Sequence, residues 1–147
     1  MPRPKKERRV ECPPRWGRYK PVGVSARLLQ HINLHLDEYE AIRLADHEGL
    51  DHMHASRRMG ISRSTFTRLI EQAHKKMALF LQQGGELKLV GGNVQFKDNL
   101  YQCSDCGAFF RQPIEDTLYE CPDCGSARLQ NYAQRYEEED TNKRVRA

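Results

Sequence analysis

Two pairs of cysteines in the C-terminal half of the sequence constrain its fold most strongly. Cys103-Ser104-Asp105-Cys106 and Cys121-Pro122-Asp123-Cys124 are each followed by glycine and are separated by 14 residues. A CxxC turn presents two thiolates from one tight loop, and tetrahedral zinc takes four such ligands. Short apolar segments surround both pairs. The pattern predicts a zinc ribbon over residues 99–133 with one structural zinc ion, held by Cys103, Cys106, Cys121 and Cys124.

Other chemistries of paired cysteines fit this sequence less well. Iron is the strongest alternative, because Cys-Pro-x-Cys-Gly at 121–125 is also similar to the metal-binding turns of rubredoxin, although the spacer here is short for that protein. A redox-active CxxC normally occurs once, at the start of a helix in an α/β fold. Four thiolates leave no coordination position open for water, so the metal is predicted to be structural.

A pair of helical segments around Gly60 is the second informative feature. Asp51 is a good N-cap for a short helix ending near Met59, and Ser62 is a good N-cap for the next helix. Apolar residues then recur at spacings of three and four, which predicts a long amphipathic helix over residues 63–81. Gly60 allows a tight turn between the two helices. The segment therefore predicts a helix-turn-helix within a domain spanning residues 23–98.

The outward face of the second helix predicts contact with DNA. Such a helix enters the major groove with its N-terminal end first, because that end carries the positive dipole. Arginine pairs with guanine O6 and N7, whereas serine and threonine bind several base edges or a phosphate. An ordinary helical hairpin whose arginines stay solvated is the alternative. The candidate DNA-binding residues of this helix and its cap are Ser62, Arg63, Ser64, Thr67 and Arg68.

Residues 1–22 are basic and rich in proline. The first 20 residues hold eight Lys or Arg and two acidic residues. The prolines prevent a continuous helix, so an extended arm that binds a polyanion is predicted, with a solvated basic tail as the alternative. Residues 83–134 hold four basic and seven acidic residues, which argues against the ribbon as the main DNA surface. The candidate DNA contacts of the arm are Arg3, Lys5, Lys6, Arg8 and Arg9.

The remaining segments complete an α+β chain. Ser25 is predicted to cap a short helix through about Ile32, and a second helix is expected from Asp37 to about His47. Residues 86–90 and 93–97 alternate in polarity around Gly91-Gly92, which predicts a β-hairpin. Residues 134–147 are predicted to be a disordered charged tail.

Two stretches of the sequence resemble known proteins. Residues 44–50 and 59–66 are similar to region 4 of bacterial sigma factors, which binds promoter DNA. Residues 1–10, with Leu36-Asp37-Glu38-Tyr39-Glu40-Ala41-Ile42-Arg43-Leu44, more closely resemble a prokaryotic family of unknown function whose members are predicted DNA-binding proteins. The likeness covers about residues 1–95 and implies a sigma-like helix-turn-helix. Glu7 departs from the cysteine common in that family, so Cys12 has no nearby cysteine partner.

Together these features predict a sequence-specific DNA-binding protein, most simply a transcriptional regulator. No apolar run approaches the roughly 20 residues that cross a membrane, and the N-terminus lacks the apolar stretch of a secretory signal, so the cytoplasm is expected. No nucleophile–base pair, phosphate loop or open metal site indicates an enzyme. The expected partners are double-stranded DNA, a protein at the ribbon and a second copy in a homodimer. The alternatives are an adaptor that docks through the ribbon and an RNA-binding protein, the latter favoured by Trp16 and Tyr19.

Overall fold

The computed structural model describes the backbone of residues 7–146 and the side chains of residues 7–139. Within them the chain is mixed α+β and forms two compact units, one of residues 7–9 and 16–95 and one of residues 10–15 and 96–146. The strands are β1 (Arg8–Val10), β2 (Arg18–Tyr19), β3 (His31–His35), β4 (Glu86–Val90), β5 (Val94–Phe96), β6 (Asp98–Cys103), β7 (Phe109–Pro113) and β8 (Leu129–Asn131). The helices are α1 (Leu36–Ile42), α2 (His52–Met59), α3 (Arg63–Gln83) and α4 (Tyr132–Arg146).

Helices α1 to α3 enclose the core of the first unit. Helix α1 continues through a π-helical turn at Arg43–His47, close to the predicted end of that helix. The apolar stripe of α3 packs against α1 and α2, because residues three and four apart share one face of a helix. The buried side chains of this cluster are Ala41, Leu44, Ala55, Met59, Phe66, Leu69 and Ile70.

The sheet of the first unit differs from the predicted hairpin. β4 pairs in parallel with β3 and antiparallel with β2, while β5 pairs with β1. The prediction of a hairpin over residues 86–97 is therefore wrong. The alternation in polarity does mark two strands, β4 and β5. They do not pair with each other, because β2 and β3 occupy the two edges of β4, and after Gly91-Gly92 the strand β5 pairs with β1.

The helix predicted after Ser25 is also wrong. Only Ala26–Leu28 form a single 3₁₀ turn, and the Ser25 side chain makes no capping hydrogen bond. Residues 31–35 form β3, in which Ile32 and Leu34 are buried and the residues beside them are exposed. That alternation with period two is the signature of a strand with one face on the core.

From residue 7 onwards the N-terminal segment contains extended strands, as predicted, and these strands are built into the sheets. β1 pairs with β5 and β2 pairs with β4. Val10 is completely buried. Residues 8–20 are therefore part of the folded structure.

The second unit contains a three-stranded antiparallel sheet with β6 in the centre, between β7 and β8. Its largest buried side chains include Tyr101, Tyr132 and Tyr136. The Tyr132 hydroxyl donates to Gln102 Oε1 at 2.9 Å, and that of Tyr136 donates to the Pro14 carbonyl at 3.1 Å. Both of these tyrosines lie on helix α4, so residues 134–146 form a helix where disorder was predicted.

Candidate functional site

Local capping sets the positions of α2 and α3. The Asp51 carboxylate accepts the backbone N–H of His54 at 2.8 Å, which lowers the pKa of this carboxyl. Gly60 ends α2 with φ +70°, a left-handed conformation that glycine adopts without a steric penalty. Ser62 Oγ accepts the backbone N–H of Thr65 at 3.2 Å and begins α3. The caps and the turn therefore lie where the sequence predicts them.

The N-terminal end of α3 brings most of its candidate residues onto one exposed face. Ser62, Arg63, Ser64 and Arg68 are all exposed, and Ser62 Oγ lies 3.3 Å from Ser64 Oγ. Within residues 7–139, Arg63 and Arg68 make no side-chain hydrogen bond or ion pair. Their guanidinium groups keep their full donor capacity for a ligand.

Thr67 differs from the other candidates because it is half-buried and its hydroxyl is already bonded. The hydroxyl donates to the Arg63 carbonyl at 3.1 Å and lies 2.9 Å from His52 Nδ1. Because the hydroxyl proton is used, the ring proton is assigned to Nδ1, which donates to Thr67 Oγ1. His52 also packs edge-on against Phe66, with 5.2 Å between ring centroids. No local sequence pattern marks the contact of His52 with α3.

The arginines of β1 separate into two roles. Arg8 Nη1 donates to Asp37 Oδ2 at 2.7 Å, so this guanidinium is paired at the start of α1. Arg9 is exposed, and its Nε lies 3.6 Å from the position that a Cβ on Gly60 would take. Arg9 is thus held beside the turn that leads into α3. Arg3, Lys5 and Lys6 lie outside the described residues.

One further arginine near this turn was not among the candidates. Arg57 lies in the last turn of α2 and is exposed, with no side-chain partner in the described part of the chain. Its neighbour Arg58 instead contacts Glu48 Oε2 at 3.3 Å. The consecutive arginines at 57 and 58 were a visible signal, but the sequence could not tell which of the two is paired.

The second unit brings the four predicted cysteines together. All four Sγ atoms lie within 4.8 Å of one another, close enough to hold a metal ion. Two contacts between the pairs are 3.6 Å long, one from Cys103 Sγ to Cys124 Sγ and one from Cys106 Sγ to Cys121 Sγ. Cys103 and Cys121 are buried and the other two are exposed. Cys12 is not part of this cluster.

Both cysteine turns are closed in the same way. The Gly107 N–H donates to the Cys103 carbonyl at 2.9 Å, and the Gly125 N–H donates to the Cys121 carbonyl at 2.8 Å. These glycines have φ of +78° and +75°, which explains why glycine follows each pair. A side-chain link joins the two turns, because the Asp105 carboxylate accepts hydrogen bonds from Ser126 and from Arg128.

The thiols of the cluster differ in acidity. The backbone N–H of Cys106 points at Cys103 Sγ, 3.5 Å away, and lowers the pKa of the Cys103 thiol to about 6. At Cys124 the N–H of Ser126 also lowers the pKa, but the Cys103 thiol and burial outweigh it and raise the value to about 12. The Cys103 thiol is therefore more acidic than the Cys124 thiol. A bound cation favours thiolates over thiols and thereby extends deprotonation to the other ligands.

None of the helices among residues 7–146 combines the length and the apolar character needed to cross a membrane.

Comparison with known proteins places the chain among uncharacterised relatives. A UPF0251 protein of Chloroherpeton thalassium is 49% identical over 107 residues, which are 73% of this chain and 71% of the relative. One of Halothermothrix orenii is 42% identical over 77% of this chain and 84% of its own length. One of Pelotomaculum thermopropionicum is 40% identical over 73% of this chain and 81% of its own length. No solved structure matches the chain significantly.

A family model matches the N-terminal part of the chain. Residues 1–97 match the family described as "Protein of unknown function DUF134". The match includes β1, the three helices of the first unit and β4, and it ends before the cysteine pairs. It confirms the predicted kinship with a family of unknown function, whereas DNA binding stays a prediction. The chain belongs to the DUF134 family of proteins of unknown function.

Proposed function

We propose that this protein is a cytoplasmic, sequence-specific DNA-binding protein that regulates transcription and inserts the N-terminal end of α3 into the major groove. One observation carries the proposal. At the start of α3, one face is buried against α1 and α2, while the opposite face presents Arg63 and Arg68 without partners among residues 7–139. This is the division of faces that a sigma region 4-like helix-turn-helix requires.

The side chains of this surface have different roles in the proposed complex. Arg63 and Arg68 donate to guanine O6 and N7, and each such pair discriminates against the wrong base. Ser62 and Ser64, beside the first N–H groups of α3, bind a phosphate. Thr67, whose hydroxyl is already engaged, acts with His52 to fix the position of α3 against α2.

The basic residues around the turn supply the affinity that does not depend on base sequence. Arg9 and Arg57 are exposed beside α2 and α3 and contact the DNA backbone, together with Arg3, Lys5 and Lys6. Each phosphate that they neutralise adds about −0.9 to the slope of log affinity against log salt concentration. Arg8 is a positioning residue in this scheme, because its ion pair with Asp37 anchors β1.

The cysteine cluster is proposed to hold zinc in a structural ribbon. Four thiolates from two CxxC turns are the usual ligands of structural zinc, and this ligand set leaves no open position for catalysis. Iron in the same site is the alternative. Metal analysis of the purified protein distinguishes the two, with one zinc per chain as the expected result and one iron per chain as the result that would contradict it.

The ribbon is also the basis of a second candidate function, as an adaptor that docks on another protein. Between Arg111 and Arg128 there are four acidic residues and no basic ones, and Tyr119 is 77% exposed. An acidic surface repels DNA, and an exposed tyrosine is typical of protein interfaces. This role complements DNA binding by the first unit.

Selection from a randomised duplex library tests the proposed function. We expect the zinc-loaded full chain to enrich one consensus sequence. Arg63→Ala or Arg68→Ala should each weaken binding to it by about 1–3 kcal/mol and change binding to random DNA much less. Lys75→Ala is the matched control, because Lys75 is exposed on the same helix about three turns further along.

Two outcomes contradict DNA readout by α3. One is a library without any enriched sequence. The other is unchanged affinity for the consensus in both arginine variants. A single-stranded RNA library selected in parallel tests the RNA alternative, and enrichment there instead of in duplex DNA would replace the proposal.

A further inference from the structure

The sheet of β2, β4 and β3 has one face that the helices leave open. In β3, Ile32 and Leu34 are buried, while His31, Asn33 and His35 alternate with them and are exposed. Successive side chains of a strand point to opposite faces of its sheet. Helices α1 and α3 contact β3. They therefore cover the face of the two apolar residues and leave the opposite face to solvent.

The pairing register arranges this open face in rows that run across the strands. Asn33 on β3 pairs with Lys88 on β4, and Lys88 pairs with Arg18 on β2. This cationic row thus carries two basic side chains and one amide. The Gly17 carbonyl accepts the Leu89 N–H at 2.9 Å, so the pairing of β2 with β4 extends beyond the N-terminal end of β2.

A second row lies two residues further along the strands, about 7 Å from the cationic row. In it His35 pairs with Val90, and continuing the register of β2 places Trp16 opposite Val90 on the other edge. Trp16 is the only tryptophan of the chain and is 61% exposed. Tyr19 pairs with Leu87 and therefore belongs to the opposite face. This ring row presents the indole of Trp16 and the imidazole of His35 beside the cations.

The charge of the open face is positive. Glu86 is the only acidic residue in the three strands and is 3% exposed. It already contacts Arg18 Nε at 3.7 Å and His31 Nδ1 at 3.1 Å. For Lys88, no side-chain hydrogen bond or ion pair is found between residues 7 and 139, so its ammonium group keeps its donors for an anion. Cations beside exposed aromatic rings are the combination that binds single-stranded nucleic acid.

We propose that this sheet face binds single-stranded nucleic acid, with a base stacked on Trp16 and phosphates at Arg18 and Lys88. His35 supplies a second ring for stacking. Stacking accepts any base, because every base has a π-face, so this site is not sequence-specific. A duplex fits it less well, since paired bases are stacked on one another and are not free to lie on a side chain. The site is independent of duplex recognition by α3.

Titration of the full zinc-loaded chain with oligo(dT) and oligo(U) at low salt tests the proposal. The fluorescence of Trp16 should be quenched on binding, because a base stacks on the indole. Trp16→Ala should weaken binding of a labelled oligonucleotide by about tenfold, and Trp16→Phe should weaken it much less. Lys88→Gln should also weaken binding and reduce the salt slope by about 0.7, the contribution of one phosphate of a single strand. Tighter binding of one oligonucleotide assigns the site to DNA or to RNA.

Two variants on α3 serve as controls. Lys75→Gln removes one charge from an exposed lysine of the same unit and should leave oligonucleotide affinity unchanged. Arg63→Ala should also leave it unchanged while weakening binding of the duplex consensus. Failure of duplex recognition by α3 is thereby distinguished from failure of the sheet site. Trp16 is mostly exposed and Lys88→Gln keeps most of the side-chain length, so thermal unfolding should stay the same in these variants.

Three results would overturn the sheet site. The first is the absence of binding or of Trp16 quenching with both oligonucleotides. The second is undiminished affinity in Trp16→Ala and Lys88→Gln, which would place the strand elsewhere. The third is a duplex that quenches Trp16 equally and competes with the oligonucleotide, because this face would then belong to the duplex-binding surface.

Discussion

The two units differ in what holds them together. In the first unit, three helices surround an apolar core that includes the large side chains of Phe66, Leu44 and Met59. The second unit consists of short strands and one helix, buries the side chains of Tyr101, Tyr132 and Tyr136, and brings together four cysteines whose sulfur atoms lie within 4.8 Å. Small folds with little apolar core commonly depend on a metal. The stability of the second unit should therefore follow metal occupancy, and that of the first should follow packing.

The units also differ in charge. The exposed arginines beside α3 suit a polyanion, whereas the stretch between Arg111 and Arg128 has only acidic charges. Substitutions in one unit are thus expected to leave the function of the other intact. The following predictions test this separation.

Loss of one cysteine ligand should have the largest effect. Cys121 is buried, and Cys121→Ser removes one of four thiolates from a site whose zinc affinity contributes roughly 10–16 kcal/mol in comparable small domains. We expect zinc to be lost and amide protection to disappear from β6, β7 and β8, while α1 to α3 stay protected. Hydrogen exchange with mass spectrometry measures both regions at once.

Cys12→Ser is the matched control, because Cys12 is half-buried but lies outside the cluster. It should retain one zinc per chain. Loss of protection in α1 to α3 together with the ribbon would show that the two units unfold as one and would remove the proposed separation.

The reverse experiment removes packing from the first unit. Phe66 is completely buried, and Phe66→Ala should cost about 3–5 kcal/mol of unfolding free energy. The zinc content should remain one per chain. Tyr119→Ala is the control, because this aromatic side chain is exposed and its removal should change the unfolding free energy little. Urea unfolding measures the free energy for both variants. Zinc release from the Phe66 variant under native conditions would contradict the proposed independence of the two units.

The smallest predicted effect concerns the turn between α2 and α3. Gly60 and Gly49 have nearly the same φ, +70° and +73°, but only Gly60 has a side chain, that of Arg9, within 4 Å of its Cβ position. Alanine at either should cost about 1–2 kcal/mol, because the contact with Arg9 is an ordinary van der Waals distance. Thermal unfolding measures both. A much larger loss at Gly60 would mean that Arg9 is packed against the turn more rigidly than the distance indicates.

Features set by a few neighbouring residues could be predicted from the sequence. Asp51, Gly60 and Ser62 define the two helices around the turn through their own side chains or backbone conformation. The two CxxC pairs are recognised by their spacing and by the glycine that follows each pair. Each helix cap and each CxxC turn closes within a few residues, so its pattern is visible in the sequence.

Features set by distant segments could not be predicted. β4 alternates as a hairpin strand would, but its partners are β2 and β3, and no local signal identifies them. Arg8 and Arg9 have the same local sequence signal, but only Arg8 forms the ion pair with Asp37, which lies 29 residues away in the sequence. Helical periodicity places Thr67 on the outward face of α3, but its hydroxyl is hydrogen-bonded to His52 from α2. Long-range pairing decided each of these outcomes.

Guanine methylation interference tests the central claim, DNA recognition by α3, most directly. A methyl group on guanine N7 blocks the major-groove acceptor to which Arg63 and Arg68 are proposed to donate. On the selected duplex we expect methylation of specific guanines to block binding of the wild-type chain. In Arg63→Ala, one of these guanines should no longer interfere, while the others still do. Interference that is absent from every guanine, or identical in the wild-type chain and in both arginine variants, would contradict recognition of DNA by this helix.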